Sequence, residues 1–319
     1  MLSRYRALAR DALDRYGLRQ PQFSLVKFGE NITWRVRTAD SNQFLLRVHR
    51  PVYHSAAETG SELAWLRELR RSTGMAVPEP VETATGEPIA LAGAEDPHVC
   101  TLLRWMPGRH HWRAPLPGHL RALGRTMAQL HAHTLSWRRP RELPRPTWDW
   151  NGLLSPHNVW SRSEFDLPGL FAEEDRPAVR EALGRIRATM RELDTLKDSH
   201  ALIHADLHFG NVVFASGQAC PIDFDDCGYG YLTYDLATTL IPFRETPDWE
   251  RVRSAVLEGY TEVREFPAKQ LERLPEFLAA RRLTMAIWLS SRGPLIPRLP
   301  RDLGPYLART AELCRRLAD

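Results

Sequence analysis

The chain is 319 residues long, carries 43 Lys and Arg against 39 Asp and Glu, and is 43% hydrophobic and 26% charged. That composition excludes a disordered or low-complexity chain and suffices for two units with cores of their own; the small basic excess is Arg scattered along the sequence, with Lys27, Lys197 and Lys269 the only lysines, so it forms no nucleic-acid patch. No apolar run reaches membrane-spanning length, and the N-terminus enters an amphipathic helix instead of a signal-peptide core, so a cytoplasmic protein with no membrane and no nucleic-acid partner is expected.

Residues 2–16 place Leu2, Tyr5, Leu8, Ala9, Ala12, Leu13 and Tyr16 on one helical face, and Gly17 follows where a helix-ending glycine belongs. Phe23 to Phe28, Ile32 to Thr38 and Phe44 to His49 run or alternate apolar around turns at Gly29-Glu30-Asn31 and Asp40-Ser41-Asn42, which predicts a three-stranded meander. A helix begins near Ser55-Ala56-Ala57-Glu58, shows an apolar face of Leu63, Leu66 and Leu69, and ends at Gly74. Val77-Pro78-Glu79-Pro80 leads into a further strand. Val99 to Leu103 forms another, which breaks at Arg104-Trp105-Met106-Pro107-Gly108; the Pro-Gly pair marks a change of direction, so one domain is assigned to 1–105 and a second to 106–319.

The second part is mostly helical. Leu120, Leu123, Met127, Leu130 and His131 recur at helical spacing, which reads His131 as a packing histidine. Residues 137–175 interrupt the helices with a Pro-, Trp- and Arg-rich stretch, in which Trp148-Asp149-Trp150 is either a contact cluster for a ligand, through stacking and cation–π contacts, or packing. From Tyr231 four helices are expected, including Leu232 to Leu240, Trp249 to Thr261, Gln270 to Leu289 and Leu303 to Leu317, with Trp249 and Trp288 in the core. Cys100, Cys220, Cys227 and Cys314 lack the spacing of a zinc site and are read as reduced structural residues.

The chemistry concentrates in Leu202-Ile203-His204-Ala205-Asp206-Leu207-His208-Phe209-Gly210-Asn211 and, beyond the strand Val212-Val213-Phe214 and a hairpin through Ser216-Gly217, in Ile222-Asp223-Phe224-Asp225-Asp226. A kinase catalytic loop has an Asp that takes the proton of the substrate hydroxyl, an Asn after four intervening residues that holds magnesium, and a second metal-binding Asp in a D-F-G triplet. Asp206, Asn211 and Asp223 stand in that order. Transfer of a γ-phosphoryl group needs a positioned nucleophile and neutralised phosphate charge more than covalent help, which is why such side chains must converge.

Two departures narrow the match: Ala205 replaces the Arg of His-Arg-Asp, and Asp225 follows Phe224 where protein kinases have Gly. That combination resembles the aminoglycoside phosphotransferase family, the kinase-like group that also includes choline kinases, one class of homoserine kinases and stress response kinase A. The resemblance runs from the loop near Gly29 to Tyr234-Asp235-Leu236. It implies an α+β, bilobal protein-kinase-like fold, with a small N-terminal β-sheet lobe carrying one packed helix and a larger, mostly helical C-terminal lobe.

It also implies roles, with ATP and Mg2+ as cofactors. Asp206 would be catalytic, Asn211 and Asp223 would be metal ligands, and Asp235 would tie the catalytic loop through backbone hydrogen bonds. Asp225 would meet a second metal, meet the acceptor, or cap a turn. Gly29, Glu30 and Asn31 would lie on the phosphate side of the nucleotide, although a lone Gly in a hairpin also serves as a plain turn. Arg47 would stand for the Lys that pairs the phosphates, the alternative being a solvated strand residue; Arg is no simple substitute for Lys at such a contact. Its acidic partner would be Glu62 or, less in keeping with the pattern that follows, Glu58. Arg104, Trp105 and Met106 would offer backbone groups to the adenine, or form a simple linker.

The expected activity is transfer of a γ-phosphoryl group from ATP to the hydroxyl of a small molecule, an amino-sugar, amino-alcohol or homoserine-like compound. A protein Ser or Thr is the alternative acceptor, disfavoured by the eleven residues between Asp223 and Asp235, which leave no evident peptide-docking segment. A nucleotide-binding scaffold without turnover is the alternative of another class, motivated by the single loop glycine and Arg47.

Overall fold

A computed structural model describes residues 2–51, 54–111, 115–161, 164–292, 296 and 301–318. The chain divides into two compact units, one drawn chiefly from Met1–Pro107 and Arg139–Arg145, the other from Gly108–Arg138, Pro146–Pro294 and Arg298–Asp319.

The first unit opens with α1 (Leu2–Arg15), followed by β1 (Gln22–Phe28), β2 (Asn31–Arg37) and β3 (Gln43–His49), then α2 (Ala56–Thr73), β4 (Pro80–Val81), β5 (Ala90–Ala92) and β6 (His98–Arg104). The predicted meander is therefore only half of the sheet: six antiparallel strands run in the order β1-β2-β3-β6-β4, with β5 also paired to β6. β4 and β6 answer the two further strands expected after the meander, and only β5 was not expected, because three residues are too few to show a period of two. Leu8, Ala12 and Leu13 of α1 pack against Trp34, Leu46, Val48 and Leu102 of the sheet. α2 is bounded by chemistry visible in the sequence. Ser55 and Glu58 form a reciprocal capping box, and Gly74 closes the helix in the left-handed conformation at φ +69°.

The second unit contains α3 (Pro117–Ser136), β7 (Thr147–Trp148), α4 (Trp150–Leu153), α5 (Arg176–Leu193), β8 (His200–Ile203), the hairpin β9 (Val212–Ala215) and β10 (Gln218–Pro221), and β11 (Gly228–Tyr231). α6 (Leu232–Leu240), α7 (Trp249–Thr261), α8 (Ala268–Leu271), α9 (Leu274–Arg292) and α10 (Gly304–Ala318) complete it. A second small sheet has the order β7-β11-β8, with β7 parallel and β8 antiparallel to β11. The helix expected over 270–289 is broken into α8 and α9, because Pro275 sits in the first turn of α9 and cannot continue a hydrogen-bond ladder from α8.

Trp249 and Trp288 are half-buried and not core; Arg244 lies over the Trp249 ring at 5.0 Å. All four cysteines are buried thiols. No helix among the described residues is long and apolar enough to cross a membrane.

Candidate active site

β8 carries the chain into the loop that holds Asp206 through Ala205, whose φ of +65° is a left-handed conformation unfavourable for a residue with a Cβ. α6 holds it there. Asp235, fully buried, accepts the amide of His204 on one carboxylate oxygen (3.0 Å) and that of Ala205 on the other (2.7 Å). From the same helix face Thr238 donates to the Ala205 carbonyl (3.5 Å) and Thr239 to the Leu207 carbonyl (2.5 Å). His131 backs this arrangement: its Nε2 meets Asp235 Oδ2 at 3.3 Å and its Nδ1 meets the Tyr260 hydroxyl at 2.9 Å, so one tautomer satisfies both. Asp235 thus ties the loop by backbone hydrogen bonds, and His131 is a buried packing residue.

His204 joins the loop to the next motif. Its Nδ1 accepts the Asp206 amide (3.3 Å), and its Nε2 donates to the carbonyl of Ile222 (3.1 Å), the residue before Asp223. The Ile222 amide in turn donates to the Asn211 carbonyl (2.8 Å). Asn211 Nδ2 donates both to the Asp206 carbonyl (3.0 Å) and to its Oδ2 (2.7 Å), which commits the amide nitrogen and leaves the side-chain oxygen of Asn211 as an acceptor. Asp206, Asn211 and Asp223 therefore share one hydrogen-bonded neighbourhood.

Asp206 is 20% exposed at its side chain. Arg281 of α9 donates to its Oδ1 and also to the Tyr234 hydroxyl (3.3 Å), while His208 Nε2 stands 3.5 Å from Oδ2. Burial pushes the Asp206 carboxyl up, but the charges of His208 and Arg281 outweigh it and hold the group well below the usual carboxylate range. Asp223 is half-buried at φ +61° and ψ +61°, the second left-handed residue with a side chain in this site. Such strain is typical where geometry serves function. Asp225 lies buried in the one-turn helix Phe224–Asp226.

In the first unit, Arg47 and Glu62 form an ion pair of 2.8 Å with 2% and 1% of their side chains exposed, and Arg47 Nε donates to Thr101 Oγ1 (3.1 Å). Arg47 is thus no solvated strand residue, and its partner is Glu62; Glu58 is spent on the capping box. Gly29 donates its amide to the Asn31 carbonyl (3.1 Å) across the hairpin turn, and Asn31 is buried. An added Cβ at Gly29 would meet nothing closer than the flexible end of Lys27, at 3.2 Å. At the end of β6 the amides of Arg104 and Trp105 are already given to the carbonyls of Glu79 (2.8 Å) and Gln43 (3.0 Å). The amides of two of the three residues expected at the adenine are thus committed to the sheet, and the half-buried Met106 follows them.

The sequence model of the phosphotransferase enzyme family matches residues 29–277. The chain belongs to that family. Amicoumacin kinase of Bacillus subtilis is 24% identical over 288 residues, 86% of this chain and 81% of that protein. Homoserine kinase of Pseudomonas aeruginosa strain LESB58 is 32% identical over 231 residues, 70% of this chain and 67% of that one. The solved structure of a microcompartment-associated aminopropanol kinase superposes with a TM-score of 0.81 at 27% identity, covering 96% of this chain and 93% of that one. The fold is α+β and kinase-like, as the resemblance implied, and the protein is an enzyme of phosphoryl transfer.

Within this phosphotransferase the sequence reading missed Arg281 and His208. The signal for Arg281 was present: Arg281-Arg282 interrupts an otherwise apolar helix, where a charge must find a partner. His208 sits inside the motif but its spacing to Asp206 carried no known role. The Trp148-Asp149-Trp150 cluster resolves to structure. Trp148 is 2% exposed, stacks on Trp160 at 5.4 Å and donates to the Asp226 carbonyl (2.7 Å); Asp149 caps α4; Trp150 lies beneath Arg187 at 5.2 Å.

Proposed function

We propose that this phosphotransferase moves the γ-phosphoryl group of ATP to a hydroxyl of a small polar molecule, with Mg2+ as the divalent cation. The observation that carries the reading is the Asp206–Asn211 hydrogen bond, set beside the backbone pairing of Asn211 with the residue preceding Asp223. The oxygens of Asn211 and Asp223 are hard donors that fit a magnesium ion, which when bound neutralises phosphate charge during transfer.

Asp206, held ionised by Arg281 and His208, accepts a hydrogen bond from the acceptor hydroxyl, aims its oxygen and receives its proton as the new O–P bond forms. Arg47, oriented by Glu62, steadies the nucleotide phosphates together with the turn at Gly29 and Asn31, and the backbone of Met106 serves the adenine. The acceptor class follows from the relatives, whose names are of small-molecule kinases. The residues between Asp223 and Asp235 are taken up by a one-turn helix, β11 and the start of α6, which favours a small acceptor over a protein.

The test is thermal unfolding with ATP, with and without Mg2+, followed by ADP release with homoserine and 1-amino-2-propanol as first acceptors. A magnesium-dependent rise in Tm is expected for the wild type and for Asp206→Asn, and none for Asp223→Ala. Asp206→Asn should lower transfer by about 10²–10⁴-fold. Full turnover in that variant would remove Asp206 from its role, and a wild type indifferent to nucleotide would overturn the reading.

A further inference from the structure

Residues 139–145 leave the sequence neighbourhood of α3 and belong to the first unit, while Pro146–Trp148 belong to the second. The chain therefore crosses between units at the peptide bond joining Arg145 to Pro146. On one side of that bond, Arg145 is 7% exposed and its guanidinium donates to the Glu58 carbonyl of α2 at 2.9 Å. In an α-helix that carbonyl is the one paired with the amide four residues on, which here is Glu62. Arg145 thus grips the turn of α2 that presents Glu62 to Arg47.

α2 shows Ala57, Gly60, Ser61 and Ala64 toward residues 139–144, and between them lies an open groove of about 680 Å³. On the other side of the crossing, the Pro146 carbonyl accepts the Tyr229 amide (2.9 Å), β7 pairs with β11, and Trp148 donates to the Asp226 carbonyl (2.7 Å). Those partners belong to the segment that immediately follows Asp223. Gly228 makes the approach possible, since a Cβ there would lie 2.5 Å from the Pro146 carbonyl oxygen.

We propose that Arg145 is a positioning residue for the nucleotide phosphates: its hydrogen bond to the Glu58 carbonyl fixes the turn of α2 that presents Glu62 to Arg47. The proposal rests on the phosphate role given above to Arg47 and Glu62. A buried guanidinium bonded to a helix carbonyl is a directional contact, and losing it frees the helix turn without removing any group that touches the nucleotide.

The experiment is calorimetric titration of the full chain with AMP-PNP and Mg2+, and in parallel with adenosine, which lacks phosphates. Arg145→Met, Arg145→Lys, Glu62→Gln and the double variant Arg145→Met/Glu62→Gln are compared. Arg145→Met should weaken AMP-PNP by about fivefold or more while leaving adenosine unchanged. Arg145→Lys, which keeps a donor, should recover part of the loss, and the double variant should bind AMP-PNP no worse than Glu62→Gln alone.

Equal weakening of adenosine, an unchanged AMP-PNP affinity for Arg145→Met, or additive losses in the double variant would each overturn the proposal. Loss in Glu62→Gln with none in Arg145→Met refutes the positioning role alone. No loss in Glu62→Gln removes the phosphate assignment and this proposal with it. Should Arg145→Met not fold, Arg145→Gln carries the same comparison.

Discussion

Asp206, Ala205 and Asp223 show how single residues hold an active geometry against local cost. Two of the three adopt the left-handed conformation without being glycine, and for Ala205 the compensation is explicit: both of its peptide groups and the adjacent amide are bonded to α6. Removing Asp235 would leave two buried amides without acceptors at roughly 1–3 kcal/mol each, so its carboxylate is needed there for the loop alone. Gly29 presents the opposite case. Its conformation makes no demand for glycine, and the space beside it admits a methyl group after a small shift of Lys27. Gly29→Ala is therefore expected to leave thermal stability within about 0.5 kcal/mol of the wild type. If the turn lies over phosphates, the same variant should weaken MgATP in titration; unchanged affinity would make the residue a plain turn.

At the scale of elements, a tight constraint is the crossing of α3 and α7. A Cβ on Gly124 would stand 1.9 Å from the Val256 carbonyl oxygen, and one on Gly259 2.0 Å from that of Arg121. These helices touch backbone to backbone, and α3 is the element that carries His131 to Asp235. Gly124→Ala should destabilise the protein by about 1–3 kcal/mol through overpacking, read as a lower urea midpoint at unchanged slope, although Ala is the better helix former. The ion pair between α2 and β3 belongs to this scale too. Breaking a pair as buried as Arg47–Glu62 costs about 3–5 kcal/mol when one partner is removed, so Glu62→Gln, which keeps a polar partner, is the variant that separates nucleotide affinity from folding.

For the whole molecule, the depressed carboxyl of Asp206 becomes a statement about acid stability. Its folded-state pKa lies below the unfolded value, so between the two the unfolded chain binds a proton that the folded chain does not. The stability it contributes is complete above about pH 4 and is lost as the pH falls toward the folded value. Urea unfolding of wild type and Asp206→Asn from about pH 5 down to pH 2 should show the steeper loss in the wild type; parallel curves would mean that Arg281 and His208 do not stabilise the ionised form.

Much of this protein was legible beforehand because its signals are local. Turn residues, helix caps and apolar periods depend on neighbours within a few positions, and the Asp206, Asn211 and Asp223 motif is short enough that the spacing itself carries the geometry. The short strand β5, the break at Pro275 and the return of residues 139–145 to the first unit were not legible, since too few residues express a period there and their partners are distant in sequence. Sequence alone determined the kinase-like class, the family resemblance and the stretch in which Asp206, Asn211 and Asp223 come together. Only the tertiary structure decided that Glu62 and not Glu58 meets Arg47, that Arg281 reaches Asp206 across 75 positions, and that the Trp148 cluster is packing. The physical reason is the same in each case: a charge or an indole in a helix or strand takes its meaning from the partner that burial forces upon it, and that partner is chosen by the fold.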